Sequence, residues 1–327
     1  METIFFADYE SREDNITYND IIDGLNDELI KKKFIDENGE KLCDLNVVVH
    51  STGGLVIRHW IWRYYNNRIA ACPVKRLIML APANFGSPLA HRGKSFIGSL
   101  AKGRWKLGDL LETGRQILEG LELGSPYQWA LAHKDLFVEN PYYTADKIQT
   151  TILVGVEDYE GIRSWVNKPG TDGTVVIAGT SLDTVKFTLD FTQTSNGTPY
   201  QWNGINPPDE FGFGVLEELN HGSIVENIGR DDGGNAKSID YLLVEALNIQ
   251  SPDNFREFIT KLENITESTY NHSTDKNKYQ QFILHAIDDQ GVSIRDYTVE
   301  FFCFLRQMRE LVIALWQGKT FLMMSKN

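Results

Sequence analysis

The sequence predicts an α/β fold, a mostly parallel sheet flanked by helices, and three observations carry that prediction. Strand and helix signals alternate over the first two thirds of the chain. The strongest strand, Leu45–His50 (L-N-V-V-V-H), passes through Ser51-Thr52 into Gly53-Gly54 and on into a helical pattern. With 327 residues, 42% hydrophobic and 24% charged, the chain can bury a large core and has the composition of a folded protein.

Taken in order, residues 3–7 (T-I-F-F-A) form a short apolar run expected to be a buried strand. Tyr18, Ile21, Ile22, Leu25, Leu29, Ile30 and Phe34 then recur at helical spacing, and Thr17 with Asp20 three residues later supplies an N-cap signature. Lys31-Lys32-Lys33 falls at the C-terminal end of that helix, where cations oppose the dipole. The strand at residues 45–50 follows, then a helix from Gly53 to about Asn66 with Leu55, Val56, His59, Trp60 and Arg63 on one face. Residues 76–80 are the next strand, ending at Ala81-Pro82.

Roughly residues 85–145 hold two or three helices rich in Gly, Leu and Trp. An insertion of this length between strands reads either as a lid over an active site or as a helical excursion that pads the core. Residues 151–156 resume as a strand. Val185, Phe187, Leu189 and Phe191 alternate with polar residues, which predicts a strand with one wet face. Residues 194–208 are rich in Asn, Gly and Pro and read as a loop, and a short alternating strand (Phe211, Phe213, Val215) leads to Asn220-His221.

Beyond His221 the pattern changes. Helices are expected over residues 239–247 and after Ser251-Pro252, the second with Phe255, Phe258, Ile259 and Leu262 inward. Residues 267–278 read as a polar linker, and residues 279–287 and 292–301 as a hairpin around Asp288-Asp289-Gln290-Gly291. This divides the chain into a main domain over residues 1–250 and a C-terminal appendage of helix and hairpin over 251–327.

A net charge of −13 disfavours binding to a phosphate backbone, which needs clustered Lys and Arg. It equally disfavours polybasic docking on an anionic membrane. Cys43, Cys72 and Cys303 are odd in number, without metal-ligand or CxxC spacing, and read as free thiols. The N-terminal residues lack the basic and apolar regions of a signal peptide. The apolar stretch 301–324 is interrupted by Arg306, Arg309, Glu310 and Lys319, too charged for a spanning helix. These features predict a cytoplasmic protein. No metal-ligand cluster or cofactor motif is visible.

The chemistry is carried by Val47-Val-Val-His-Ser51-Thr-Gly53-Gly54-Leu-Val. A strand ending in x-Ser-x-Gly and turning sharply into a helix lifts the serine clear of the sheet. Small neighbours are needed because the two backbones nearly touch there. The helix N-terminus also favours negative charge on a reacting oxygen.

With Leu77-Ile-Met-Leu-Ala-Pro-Ala-Asn-Phe-Gly-Ser-Pro-Leu-Ala, Thr171-Asp-Gly-Thr-Val and Asn220-His-Gly-Ser-Ile-Val in this order, residues 1–230 resemble bacterial lipases of the α/β-hydrolase superfamily. They are also similar to the wider group containing lecithin–cholesterol acyltransferase and the lipases that deacylate lipid anchors. The resemblance implies Ser51 as nucleophile, Asp172 as the acid that orients the imidazole, His221 as general base and the Thr52 N–H as an oxyanion donor. The order Ser, Asp, His is that of the α/β-hydrolases. Asp158, just after a strand, is the alternative acid, and the family motif favours Asp172. His50, His59, His91, His133, His272 and His285 read as structural or surface residues, and Ser87 and Ser223 as turn residues.

The sequence departs from the family in three places. Val49 stands where Gly is usual, which predicts looser strand–helix packing. No His-Gly loop that would supply a second oxyanion donor precedes the serine, so the fold is expected to lack its first strands and to leave a sheet edge exposed or unusually covered. The hairpin resembles the start of a β-sandwich that residues 303–327 do not continue.

The expected reaction is hydrolysis of a small-molecule or lipid carboxylic ester, with transient contact to a lipid surface and no cofactor. The rivals are a catalytically weak relic acting as a binding module and an acyltransferase. The sequence carries no signal for an oligomeric state.

Overall fold

The computed structural model describes residues 15–90, 114–191, 201–205, 210–229, 238–272, 279–299 and 320–321. Its centre is a parallel sheet of four strands in the order β1-β2-β3-β6: β1 (Leu45–His50), β2 (Val74–Leu80), β3 (Gln149–Gly155) and β6 (Phe211–Leu216). In register, His50 lies opposite Leu80, Met79 opposite Ile152 and Gly155 opposite Leu216. All four C-terminal strand ends therefore reach the same side, where ligand sites of open α/β sheets form. This is the predicted α/β architecture. The predicted strand at residues 3–7 lies outside the described residues.

The helix α1 (Tyr18–Lys31) begins with the expected capping box: the Asp20 N–H donates to Thr17 Oγ1, and the Thr17 N–H donates to Asp20 Oδ2. It packs on α2 (Gly53–Tyr65), the helix that follows the serine. The buried side of α2 is wider than its periodicity predicts, running unbroken from Gly54 to Ile61. Arg63, placed on the same face as Leu55 and Trp60 by its spacing, is exposed and pairs with Asn19 and Asp23 of α1.

Of the 85–145 insertion, residues 91–113 lie outside the described residues. The remainder holds α3 (Arg115–Leu121) and α4 (Pro126–Asp135), and α4 packs on α2. A two-stranded sheet joins β4 (Lys186–Asp190) to β5 (Gln201–Ile205). Part of the Asn/Gly/Pro-rich segment read as a loop is thus a strand. Its turn residues obscured the short run Gln201–Ile205.

Strand β6 was expected to alternate, yet only Phe213 is less than buried. Gly212 and Gly214 mimic polar residues in an alternating pattern. A Cβ at either would press on Leu262 of α7 (Pro252–His272), so the glycines let that helix lie against the strand. The helix continues through Glu267–His272, six residues into the predicted linker, because Ile265 and Thr269 still face the interior.

Two threonines of α7 also meet the outer backbone of β6. Thr266 Oγ1 accepts the Val215 N–H at 3.0 Å and donates to the Phe213 carbonyl at 3.1 Å, while Thr269 Oγ1 donates to the Val215 carbonyl at 2.8 Å. At the opposite side of the sheet, β1 is the edge strand among the described residues, and its Val48 is 47% exposed. Between them come α5 (Ser223–Glu226), after β6, and α6 (Ile239–Asn248), which packs on β2.

The chain divides into two compact units: residues 1–188 with 202–281, and residues 189–201 with 282–327. In the second, among the described residues, the predicted hairpin is present only around its turn. Ile287 bridges Ser293, and the Asp288 N–H bonds the Val292 carbonyl at 2.9 Å. Beyond it, β7 (Thr298–Val299) pairs in parallel with β8 (Thr320–Phe321). Among the described residues, no helix is long and apolar enough to cross a membrane.

Candidate active site

Ser51 sits between β1 and α2 with φ +54°, a region that side chains other than glycine seldom occupy. Its neighbours hold it there. The Ser51 N–H donates to the Leu80 carbonyl at 3.1 Å, and the Ser51 carbonyl accepts the N–H groups of Gly54 at 3.1 Å and Ala83 at 3.0 Å. Backbone strain of this kind persists where the surroundings over-determine it.

The two glycines of the turn have separate reasons. A Cβ on Gly53 would lie 3.0 Å from the Cβ of Val49, and one on Gly54 would lie 2.7 Å from the Cβ of Pro82. Val49 therefore does not loosen the packing, contrary to the expectation. It occupies room that Gly53 vacates, so strand and helix stay close.

Asp172 and His221 come from loops beyond β3 and β6. The Asp172 N–H donates to the Val175 carbonyl, and Asp172 Oδ1 accepts the N–H groups of Thr174 at 3.0 Å and Val175 at 2.8 Å. The loop is braced by Ser87, which donates to the Thr174 carbonyl, and by Tyr159, whose hydroxyl lies 3.0 Å from Thr174 Oγ1. Gly173, at φ +93°, lies so close to the Tyr159 ring that a Cβ would collide with it. The His221 loop is shaped by Asn220, whose Oδ1 accepts the N–H groups of Gly222 and Ser223. Ser87 and Ser223 are thus engaged as turn residues, as the sequence suggests.

These loops bring three side chains together. His221 Nε2 lies 3.0 Å from Ser51 Oγ, and His221 Nδ1 lies 2.9 Å from Asp172 Oδ2. Asp172 and His221 are fully buried and Ser51 is 2% exposed. The Asp172 carboxylate can only accept, so Nδ1 carries the hydrogen and Nε2 is left to accept the serine proton. His221 meets Asp172 and not Asp158. The arrangement can raise the nucleophilicity of a hydroxyl and stabilise the imidazolium that results.

Among the described residues, no acceptor meets the Thr52 N–H at the start of α2, where the helix dipole adds to it. The loop after β2 offers little more. The N–H groups of Ala83, Phe85, Gly86 and Ser87 all bond carbonyls, of Ser51, Gly179, Ala83 and Leu121 respectively. Among the described residues, no group of His, Cys, Asp and Glu side chains is arranged to hold a metal ion.

Two features near the site escape sequence reasoning. His50 Nε2 lies 3.0 Å from the His221 carbonyl, with the two rings 4.7 Å apart. Burial, and next the neighbouring His221, push the His50 pKa down to about 3. Arg58 of α2 is completely buried and forms a two-pronged ion pair with Asp135 of α4, at 2.7 and 2.9 Å. Tyr143 donates to the same carboxylate at 2.8 Å, and Arg58 reaches the Asn84 carbonyl at 3.3 Å. Burial alone would lower the Arg58 pKa, but the charge and hydrogen bonds of Asp135, together with Tyr143, outweigh it.

No protein-family model matches the chain, and no curated protein matches it. Solved structures do. Phospholipase PlaB from Legionella pneumophila is 27% identical with a TM-score of 0.71, over 89% of this chain and 63% of that one. The same phospholipase in complex with thio-NAD is 26% identical with a TM-score of 0.69, over 89% and 62%. This chain thus spans less than two thirds of the length of those structures. The shared architecture is the α/β-hydrolase fold, here a mostly parallel sheet flanked by helices.

Proposed function

We propose that this protein is a serine ester hydrolase of lipase type, acting on lipid esters with phospholipids as the leading substrate class. The observation that carries the reading is the buried relay from Ser51 Oγ through His221 to Asp172, with contacts of 3.0 and 2.9 Å. The similarity to a bacterial phospholipase supports the substrate class.

In this reading Ser51 Oγ attacks the ester carbonyl carbon while its proton passes to His221 Nε2. The carbonyl oxygen becomes an oxyanion facing the Thr52 N–H. Collapse breaks the bond to the alcohol, which leaves with the proton from His221. Water, deprotonated by the same imidazole, then releases the fatty acid and restores Ser51. Asp172 keeps the imidazole in the required tautomer throughout. The narrower kinship with the lecithin–cholesterol acyltransferase-like group rests on the sequence motifs alone, and product analysis with an added alcohol separates acyl transfer from hydrolysis.

The test is labelling with a fluorophosphonate probe, read by intact mass. The wild-type chain should gain one probe adduct, located on Ser51. An unlabelled wild-type protein, or labelling that survives Ser51→Ala, would refute the reading.

A further inference from the structure

We propose that His50 is a positioning residue for His221, its side chain holding the main chain of the general base from the position directly before the nucleophile. This rests on the serine-hydrolase reading of the site.

The geometry fixes the direction of the bond. A carbonyl oxygen only accepts, so the 3.0 Å contact to the His221 carbonyl requires a hydrogen on His50 Nε2. His50 is therefore the Nε2–H tautomer. The rings lie 4.7 Å apart at 45°, tilted and not stacked. On its other side, the His221 N–H donates to the Asp172 carbonyl at 3.0 Å.

His221 is consequently held at four points. Asp172 takes its amide and its Nδ1–H; His50 and Ser51 take its carbonyl and Nε2. Two adjacent residues of one strand end thus reach both the backbone and the ring of the base. Without the His50 donor, the His221 loop would hang from its own interior, from Asp172 and from the Glu157 bond to the Leu219 carbonyl, and the Nε2–Oγ distance would lose one of its constraints. The loop's other tie is farther from the base: the Glu157 N–H donates to the Leu219 carbonyl at 2.8 Å, while Asn220 and Ser223 satisfy one another within the loop.

The surroundings also favour a neutral ring. The charged or titrating groups that face His50 are His221, which disfavours its protonation, and Asp172, which favours it. Burial and His221 prevail, so His50 adds no positive charge beside the imidazolium that forms on His221 during turnover. Because Nε2 is committed to the carbonyl, His50 neither gives nor takes the reacting proton.

Two variants and one spectrum test this. His50→Leu removes the donor, and His50→Gln restores an N–H near the Nε2 position. His50→Leu should slow probe labelling and lower kcat about tenfold, the loss expected of one hydrogen bond's worth of alignment. KM should move by less than about twofold, and His50→Gln should recover most of the rate. Equal labelling by wild type and His50→Leu, or a loss confined to KM, would overturn the role.

Independently of activity, ¹⁵N-histidine spectra should show a neutral, Nε2-protonated ring that persists from about pH 8 to about pH 5 and is lost in His50→Gln, which tells it apart from the other buried histidine, His59. A neutral His50 whose hydrogen sits on Nδ1 refutes the contact, and one that titrates in the ordinary histidine range refutes the neutral ring. If wild type takes no probe while this spectrum is as expected, the serine-hydrolase reading fails and the tie between His50 and His221 stands.

Discussion

At the scale of single residues, Ser51, His221 and Asp172 form one relay, so removing any member removes most of what the others do. Ser51→Ala or His221→Ala should lower ester hydrolysis by about 10⁴–10⁶. Retention of more than about a tenth of the wild-type rate by Ser51→Ala would end the assignment. Asp172→Asn should be heavily impaired yet folded, because an amide no longer dictates which nitrogen of His221 carries the proton. Asp158→Asn should change the rate far less, a comparison made with a soluble chromogenic ester. These three residues are legible in the sequence because each lies in a short motif whose neighbours shape its own loop: Gly53-Gly54 for Ser51, Thr174-Val175 for Asp172, Asn220 and Ser223 for His221. The bond from His50 to the His221 carbonyl spans 171 positions, and nothing local to either residue announces it.

At the scale of elements, the helix after the serine is anchored to α4 by a fully buried ion pair. Deleting one partner would strand a charge in the interior, at a cost of about 3–5 kcal/mol. Asp135→Ala should lower the urea midpoint accordingly, and it also frees the Tyr143 hydroxyl. Adding Arg58→Met should recover much of the loss, since an apolar pair of similar volume can replace a buried pair at little cost. A double variant as unstable as Asp135→Ala alone would place the damage in packing instead. Strands β1, β2 and β3 could be read as short apolar runs bounded by turn residues, and helices α1 and α2 from helical spacing. The remainder follows tertiary context. α7 outruns its apolar stripe because Ile265 and Thr269 still find the sheet, and the glycines of β6 answer to Leu262 and not to solvent.

At the scale of the whole molecule, buried neutral histidines weaken the fold towards acid pH. Burial, and then the nearby Lys134 and Arg63, lower the His59 pKa from 6.5 to about 4. The unfolded chain therefore binds this proton more readily than the folded one. The stabilisation is complete above about pH 6.5 and is lost as pH falls towards 4, at up to about 1.4 kcal/mol per pH unit. Thermal midpoints measured from pH 7 to pH 4 should fall over this window, and His59→Gln should flatten the slope. A midpoint that rises on acidification would contradict the burial assigned to this ring. The two threonines of α7 carry a different consequence, for how copies of this molecule meet. A bare strand margin is a template on which a second chain can grow its own sheet. Thr266 and Thr269 occupy that margin on β6 with hydroxyls, filling the places a foreign backbone would take. Replacing both with valine preserves shape while releasing an amide and two carbonyls. We expect such a chain to remain folded when cool and dilute, yet to form oligomers and thioflavin-positive fibrils on warming sooner than wild type does. The threonine hydroxyls thus act as a guard against sheet growth from one molecule to the next.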